Sequence, residues 1–200
     1  MKIEDVIICG VGAAGSNILL NLLCTHPELN FSVVDFDKVE PRNITPGTQP
    51  YEKADLNRHK VQAIQRIALV QRNKRIVATN TKLQKAADIL ALVTKKSATL
   101  LIDALDNAPS RNLFLGLPKS SHVLHVGFSA LLTGEAVWDG VFTKMTESKS
   151  DADIDVCELH LARPFIQGLT ALASIVATDF IETGKKNNIY FDRHLRIKVF

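Results

Sequence analysis

The sequence predicts an α/β fold of Rossmann-like type: a mostly parallel sheet with helices on both faces and antiparallel C-terminal strands. Three observations predict it. Short apolar, β-rich runs alternate with helical patterns from residue 6 to residue 126. A glycine-rich turn, GVGAAG at 10–15, joins the first apolar run to the first helical pattern. At 134–142 a strand pattern follows another without an intervening helix, which indicates that strand direction reverses there.

The elements follow in order along the chain. The long final helix has apolar residues at three- and four-residue steps, which predicts one buried face. Pro164 suits its first turn and Gly184 its C-terminal cap. Strand patterns lie at 6–9, 31–34, 75–79, 99–102, 122–126 and 134–142, helical patterns at 13–24, 58–71, 84–93, 109–117 and 164–183, a closing hairpin at 189–191 and 195–199, and long loops at 40–55 and 144–158.

Length, charge and cysteine content restrict the class of protein. Two hundred residues suit a single domain, and a net charge of +3 with scattered basic residues indicates no nucleic-acid partner. The longest uncharged stretch, 164–178, is shorter than the roughly 20 residues that span a bilayer, so no membrane segment is expected. The three cysteines suggest no disulfide framework and the N-terminus does not resemble a signal peptide, so we expect a cytoplasmic protein. Cys9 and Cys24 lie in apolar runs and are predicted to be small core residues.

The glycine-rich turn predicts a nucleotide site. Gly10 permits the tight turn, Gly12 lets the backbone approach a phosphate, and Gly15 allows close packing of helix on strand. The amide groups and dipole of the helix that follows favour an anion. Asp35 ends the second strand twenty residues after Gly15, where a carboxylate suits ribose hydroxyls.

Further polar residues follow the predicted strands. Lys60 opens a helix and is able to neutralise phosphate oxygens, although a solvated surface lysine is the alternative. Asp106 follows a buried strand, where ligands of parallel sheets bind and where a carboxylate suits Mg²⁺ beside phosphates. Helix capping ahead of Pro109 is the competing interpretation of Asp106 and Asn107.

The series DFDxVExxN at 35–43, a lysine at 60 and DxxDNxxxR at 103–111 resembles the ThiF/MoeB and ubiquitin-activating family. The likeness covers essentially the whole chain, including VGFSALLTGEAVW at 126–138, a mobile crossover loop at about 144–158 and a final helix ending in glycine. It implies an adenylyltransferase that uses ATP and Mg²⁺ to convert a carboxylate, the C-terminus of a ubiquitin-like or sulfur-carrier protein, into an acyl-adenylate. It also implies a homodimer.

The resemblance assigns roles to individual residues. Lys60 and Asp106 are implied to be catalytic, with Asp106 also the Mg²⁺ ligand, whereas Asp37 and Arg111 are expected to brace loops rather than touch substrate. The family contacts phosphate through the asparagine that matches Asn43, for which a turn residue is the alternative. The full set implied to bind nucleotide is Gly10, Gly12, Gly15, Asp35, Asp37, Arg42, Asn43, Lys60, Asp106 and Asn107.

Cys157 matches a cysteine at the end of the crossover loop that accepts the acyl group in some relatives. Arg163 and the start of the final helix would lower the pKa of its thiol, whereas nearby carboxylates at 153, 155 and 158 would raise it. The alternative is a small residue packed under the loop.

The chain also departs from the family pattern. Pro46 stands where an arginine is usual, with Arg42 and Arg58 as possible substitutes, and the chain starts at the first strand, without the arginine-bearing N-terminal helix of many members. No CxxC pairs occur, so no structural zinc is expected. Two alternatives therefore stay open: a non-catalytic subunit that binds nucleotide or a partner, and an NAD-dependent oxidoreductase, which is disfavoured because no separate substrate domain or catalytic His/Lys pair is evident.

Overall fold

Eight strands form one mixed sheet in the order β3-β2-β1-β4-β5-β6-β7-β8. A computed structural model describes residues 2–45, 47–93, 98–146 and 159–200. The first five strands pair in parallel and the last three antiparallel, which confirms the predicted fold class. The strands are β1 (Asp5–Cys9), β2 (Asn30–Asp35), β3 (Val77–Asn80), β4 (Thr99–Asp103), β5 (His122–Phe128), β6 (Thr133–Trp138), β7 (Ile189–Asp192) and β8 (Ile197–Val199).

Helices cover the two faces of the sheet unequally. Long helices lie on one face, where alternate strand residues such as Val6 and Ile8 join the main core. In the described part of the chain the other face carries only short helical segments, and Ile7 and Cys9 pack there in a smaller cluster. The helices are α1 (Ala13–Thr25), α2 (Pro41–Ile44), α3 (Lys60–Arg72), α4 (Ala86–Leu90), α5 (Ala108–Arg111) and α6 (Ala162–Thr183), with 3₁₀ turns at Lys53–Asp55 and Asn112–Gly116.

Helix α6 is the core helix of the C-terminal half. This 22-residue helix contains an apolar window long enough to cross a membrane by composition, with a mean hydropathy of 1.4. Half of that apolar window is nevertheless buried within the protein, against α1, β6 and β7. The helix ends at Gly184, whose φ of +76° confirms the predicted left-handed cap. We therefore interpret its apolarity as the result of packing inside the domain.

Several predicted elements have different bounds. The helix predicted at 84–93 spans only Ala86–Leu90, because the Asp88 carboxylate accepts hydrogen bonds from the amides of Gln84 and Lys85 and caps the helix there. The strand predicted at 134–142 ends at Trp138, whose carbonyl accepts the Val141 amide in a turn. The predicted helix at 109–117 divides into α5 and a 3₁₀ turn. The 40–55 loop contains α2 and another 3₁₀ turn.

The predicted core position of Cys24 is wrong. Cys9 is buried as expected, but Cys24 is exposed, with its thiol donating to the Leu20 carbonyl. The apolar face of α1 is formed by Ile18 and the leucines near it, and Cys24 lies outside that face although it belongs to the same apolar run. From residue 147 to residue 158 the predicted crossover loop lies outside the described residues.

Candidate functional site

Polar residues gather where the parallel strands end, beside the first strand. The chain leaves β1 for β2 on one side, while β4 pairs on the other, so β1 is the switch point of the sheet. Cys9 at the end of β1 is level with Val34 and with Asp103 at the end of β4. Crevices at such switch points are where open α/β sheets bind ligands. The glycine turn and the Asp106 loop both start at this edge.

The glycine turn is sterically constrained at two of its three glycines. Gly10 has a φ of +89°, and a Cβ there would lie 2.6 Å from the Ala104 carbonyl oxygen. A Cβ on Gly15 would overlap the carbonyl oxygen of Gly10. Around Gly12, by contrast, a Cβ would meet nothing within 4 Å among the described residues. The turn thus packs tightly at Gly10 and Gly15 and leaves open space at Gly12, the glycine predicted to face a phosphate.

Helix α1 presents its N-terminus to the same open space. Gly12 is its N-cap, and among the described residues no side chain caps it. Its first turn carries no acidic residue, so no carboxylate of that turn opposes an anion. The unpaired amides and the dipole of such a helix start attract phosphate. The glycine turn and α1 together therefore form an anion-binding end.

Asp35 ties the end of β2 to the glycine turn. One carboxylate oxygen accepts the Val11 amide at 2.9 Å and the other accepts the Asp37 amide at 2.8 Å. Burial raises the pKa of the Asp35 carboxyl, while the positive charge of Lys60 and the two amide bonds act against the rise. Each carboxylate oxygen has a second lone pair, so the predicted contact to ribose is compatible with this bracing and stays a prediction.

Lys60 is the first residue of α3 and is buried, with a relative exposure of 9%. Its ammonium lies 3.0 Å from the Asp37 carboxylate, and its backbone amide donates to the Asp37 carbonyl at 2.9 Å. The structure therefore excludes the alternative of a solvated surface lysine. Asp37 holds the loop after β2 to the start of α3, as its expected bracing role requires.

The first part of the 40–55 loop is held by its own side chains. Asn43 is buried, and its side-chain oxygen accepts the Glu40 amide at 2.8 Å, so it caps α2. The Arg42 guanidinium donates to the Glu40 carboxylate at 2.6 Å. Arg58 is exposed just before α3. The turn role considered for Asn43 is thus present, while phosphate contact by Asn43 or Arg42 stays a prediction.

Asp106 is exposed on the loop that joins β4 to α5. One of its oxygens accepts the Asn107 side-chain amide at 3.1 Å, and Asn107 also caps α5 by accepting the Ser110 amide. The capping interpretation is therefore correct for Asn107 but not for Asp106, whose carboxylate faces solvent.

A buried ion pair fixes the base of that loop. Asp103, at the end of β4, accepts hydrogen bonds from Arg111 at 3.2 Å and from His125 at 2.8 Å through one oxygen. Its other oxygen accepts the Leu105 amide. His125 in turn stacks on Phe142 with ring centroids 3.7 Å apart. Arg111 is 4% exposed and donates to Asp103, so it braces the loop.

The residues present suit Mg²⁺ only together with phosphate. Among the described residues no group of three or more His, Cys, Asp or Glu side chains is arranged to hold a metal ion. A single exposed carboxylate such as Asp106 is nevertheless the protein ligand that Mg²⁺ takes when phosphate oxygens and water complete its shell. Asp106 would therefore hold the ion against the nucleotide rather than in a site made of protein alone.

Two residues near the crevice have no role assigned to them from the sequence. Tyr51 is buried and donates its hydroxyl to the Val11 carbonyl at 2.6 Å, which ties the 40–55 loop to the glycine turn. Phe36, next to Asp35, is 48% exposed and lies under the ammonium of Lys82, 5.1 Å from the ring centroid. In the sequence, the position of Phe36 between Asp35 and Asp37 is what marks it as a candidate site residue. Nothing local to Tyr51 predicts its partner 40 residues away.

Cavity volume alone does not locate this site. A cavity of about 380 Å³ lies on the thinly covered face of the sheet, where Phe114, Val123, His125 and Lys186 contribute to its lining. The glycine turn lies elsewhere, at an open edge. The crevice is therefore identified by the backbone geometry of the glycine turn and by the charged residues beside it, and not by the volume of a cavity. The predicted acyl acceptor, Cys157, lies outside the described residues, as does Pro46, which stands where the family has an arginine.

Comparison with known structures supports the fold. E. coli MccB with ATP matches with a TM-score of 0.70 and 16% sequence identity, over all of this chain and 64% of that chain. E. coli MccB with MccA-N7isoASN matches with a TM-score of 0.72 and 15% identity, over 98% and 64% of the two chains. PaaA matches with a TM-score of 0.70 and 18% identity, over 98% and 63%. The chain thus spans less than two thirds of the length of these proteins.

The sequence comparisons are of two kinds. No curated protein matches the chain significantly. The model of the ThiF family, however, matches residues 2–150, which contain the glycine turn, Asp35, Lys60 and the Asp106 loop. Since the match covers most of the chain and the geometry described above belongs to the same residues, the chain belongs to the ThiF family.

Proposed function

We propose that this protein is an adenylyltransferase that uses ATP to activate a carboxylate. The observation that carries the proposal is the convergence, at one sheet edge of a ThiF-family chain, of an anion-binding helix end and the exposed carboxylate of Asp106 on the loop after the neighbouring strand β4. Family membership supports adenylation in general. The MccB structures add that one protein of this fold is solved with ATP and with MccA.

The chemistry requires positioning and charge neutralisation. A carboxylate oxygen of the substrate attacks the α-phosphorus of ATP, the bond from that phosphorus to the bridging oxygen breaks, and pyrophosphate leaves. Amides at the start of α1 orient the phosphates, and Lys60 neutralises charge that builds up on them. Mg²⁺, held by Asp106, would supply further neutralisation of the leaving group. No side-chain nucleophile is needed for this step.

We propose the C-terminus of a ubiquitin-like or sulfur-carrier protein as the activated carboxylate. Its support is the likeness of the motifs at 35–43 and 103–111 to the ubiquitin-activating branch of the family. A non-catalytic, nucleotide- or partner-binding subunit is the second candidate. It is favoured by Pro46, which stands where the family usually has an arginine.

Exchange of radiolabelled pyrophosphate into ATP tests the activity. With candidate ubiquitin-like proteins as substrate, we expect exchange that falls about a hundred-fold in Asp106→Asn, because a neutral amide holds Mg²⁺ poorly. The amide oxygen can still accept from Asn107, so the loop should keep its shape. Glu182→Gln, on the exposed end of α6, is the matched control and should exchange like the unchanged protein. Absence of exchange with every carboxylate offered, despite measurable ATP binding, would favour the non-catalytic subunit.

Calorimetry with ATP and with NAD tests the nucleotide and the role of Lys60. We expect ATP to bind, and Lys60→Ala to weaken it by about 1.5–3 kcal/mol, the usual contribution of a hydrogen bond to a charged group. Lys38→Ala, at an exposed residue in the preceding loop, should leave affinity unchanged. Unchanged ATP affinity in Lys60→Ala with a lower melting temperature would assign Lys60 to bracing alone. Saturable NAD binding without ATP binding would favour the oxidoreductase.

Cys157→Ser tests whether a thiol accepts the acyl group. If Cys157 has that role, attack of its thiolate on the acyl-adenylate forms a thioester and releases AMP, so the unchanged protein should form a reductant-sensitive adduct with its substrate protein. The variant should lose the adduct and keep pyrophosphate exchange, since adenylation precedes the transfer. If the unchanged protein exchanges pyrophosphate but never forms the adduct, the reaction ends at the adenylate.

We further propose that the protein is cytoplasmic, as its cysteine content indicates, and that it is a homodimer, as its resemblance to dimeric family members implies. Exposed apolar side chains on the described surface, such as Ile175 on α6 and Leu131 before β6, support an interface. Light scattering at micromolar concentration should give twice the mass of the chain. A strict monomer in that measurement argues against the dimer.

A further inference from the structure

Arg163, in the first turn of α6, lies beside the nucleotide crevice although it is distant from every motif in the sequence. A Cβ on Gly47 would be 3.3 Å from one terminal nitrogen of its guanidinium. The next residue, Thr48, accepts the Asn17 side-chain amide at 2.8 Å, and the same amide donates to the Ala13 carbonyl at 2.7 Å. A short series of contacts therefore connects Arg163 with the first residue of α1.

The packing of α6 on α1 also places Arg163 close to the start of α1. Contacts between the two helices occur in the same order along both: Asn21 with Ser174 at 3.1 Å, then His26 with Thr178 at 3.3 Å. The helices thus run in parallel, and both begin at the edge of the sheet that carries the glycine turn. Ala13 precedes the first contact by eight residues and Arg163 precedes it by eleven. At about 1.5 Å per residue, Arg163 lies roughly 5 Å beyond the start of α1 along the helix axis.

The charges of the crevice require a further cation. Asp35, Asp37, Asp103 and Asp106 contribute four carboxylates to this edge, whereas its two buried cations among the described residues, Lys60 and Arg111, are paired with Asp37 and Asp103. A triphosphate brought to that edge would meet more negative than positive charge. Mg²⁺ offsets part of the imbalance, and a guanidinium beside the glycine turn would offset more.

The described arginines near the crevice differ in their availability. Arg42 is engaged by Glu40 at 2.6 Å. Arg58, in the turn before α3, is exposed and likewise forms no side-chain hydrogen bond or ion pair among the described residues, but the contacts through Thr48 and Asn17 that connect Arg163 with α1 do not include it. Arg163 is exposed and, among the described residues, forms no ion pair or hydrogen bond. Its fork of N–H donors is therefore available to a phosphate.

We propose that Arg163 is the phosphate-binding arginine of this site, contributed by the final helix to the triphosphate of ATP. The inference rests on the proposed function, since it presupposes ATP in the crevice. It assigns the role to a residue 117 positions after Pro46, and not to the nearby Arg42 or Arg58.

Calorimetric titration of the full chain with Mg·ATP tests the assignment. Arg163→Ala should weaken ATP binding about ten-fold or more, in keeping with loss of a charge-assisted hydrogen bond. Arg163→Lys should recover part of the loss, because a lysine restores the charge but not the fork. Arg72→Ala, at the far end of α3, is the matched control and should bind like the unchanged protein. Equal melting temperatures for all four proteins would show that the fold is kept.

The outcomes separate this inference from the proposed function. If the unchanged protein does not bind ATP, the proposed function fails and the assignment of Arg163 fails with it. If the unchanged protein binds ATP and Arg163→Ala binds it within two-fold as tightly, only the assignment is overturned. It is overturned equally if Arg42→Ala or Arg58→Ala loses affinity ten-fold while Arg163→Ala does not.

Discussion

The crevice at the sheet edge beside β1 depends on one constraint, the close approach of Gly15 to the carbonyl of Gly10. It brings α1 directly onto the end of β1, so that the helix start and the strand end share one narrow turn. Any side chain at Gly15 would force the helix away and move its amides out of the crevice. Because α6 packs in parallel on α1, the first turn of α6 also lies at this edge of the sheet. One glycine thus fixes the position of two helix starts.

The walls of the crevice are then attached to this turn by buried polar contacts. Asp35 holds the Val11 amide, and Tyr51 holds the Val11 carbonyl, so both polar groups of one turn residue are used by neighbouring segments. On the other side Asp103 and Arg111 form an ion pair that is almost fully buried. Such a pair costs desolvation and adds little net stability, but removal of one partner leaves a buried charge. Its contribution here is to fix the loop that carries Asp106.

The sequence predicts the parts of this arrangement that depend on local spacing. Strand and helix periods, the glycine turn, and carboxylates at strand ends are encoded within a few residues of one another, and the fold class follows from them. Cys24 shows the limit of such reasoning, since an apolar run does not reveal which side of a helix faces solvent. Asn43 shows another, because an amide suits a phosphate and a helix cap equally well. The placement of Arg163 depends on how α6 packs, and no spacing along the chain encodes it.

The ion pair between Lys60 and Asp37 bears on whether the site is competent for catalysis. Asp37 is 43% exposed, so solvent screens the pair, and exchanging one partially solvated partner for another costs about 1 kcal/mol or less. A hydrogen bond from the same ammonium to a phosphate oxygen contributes about 1.5–3 kcal/mol. The hydrogen bond to phosphate contributes more free energy than the loss of the partly solvated Asp37 costs. We therefore expect the ammonium of Lys60 to move from Asp37 to the phosphate, or to bind both. The pairing in the structure is therefore the resting arrangement of a lysine that is already desolvated and oriented toward the crevice loop, and it does not argue against ATP.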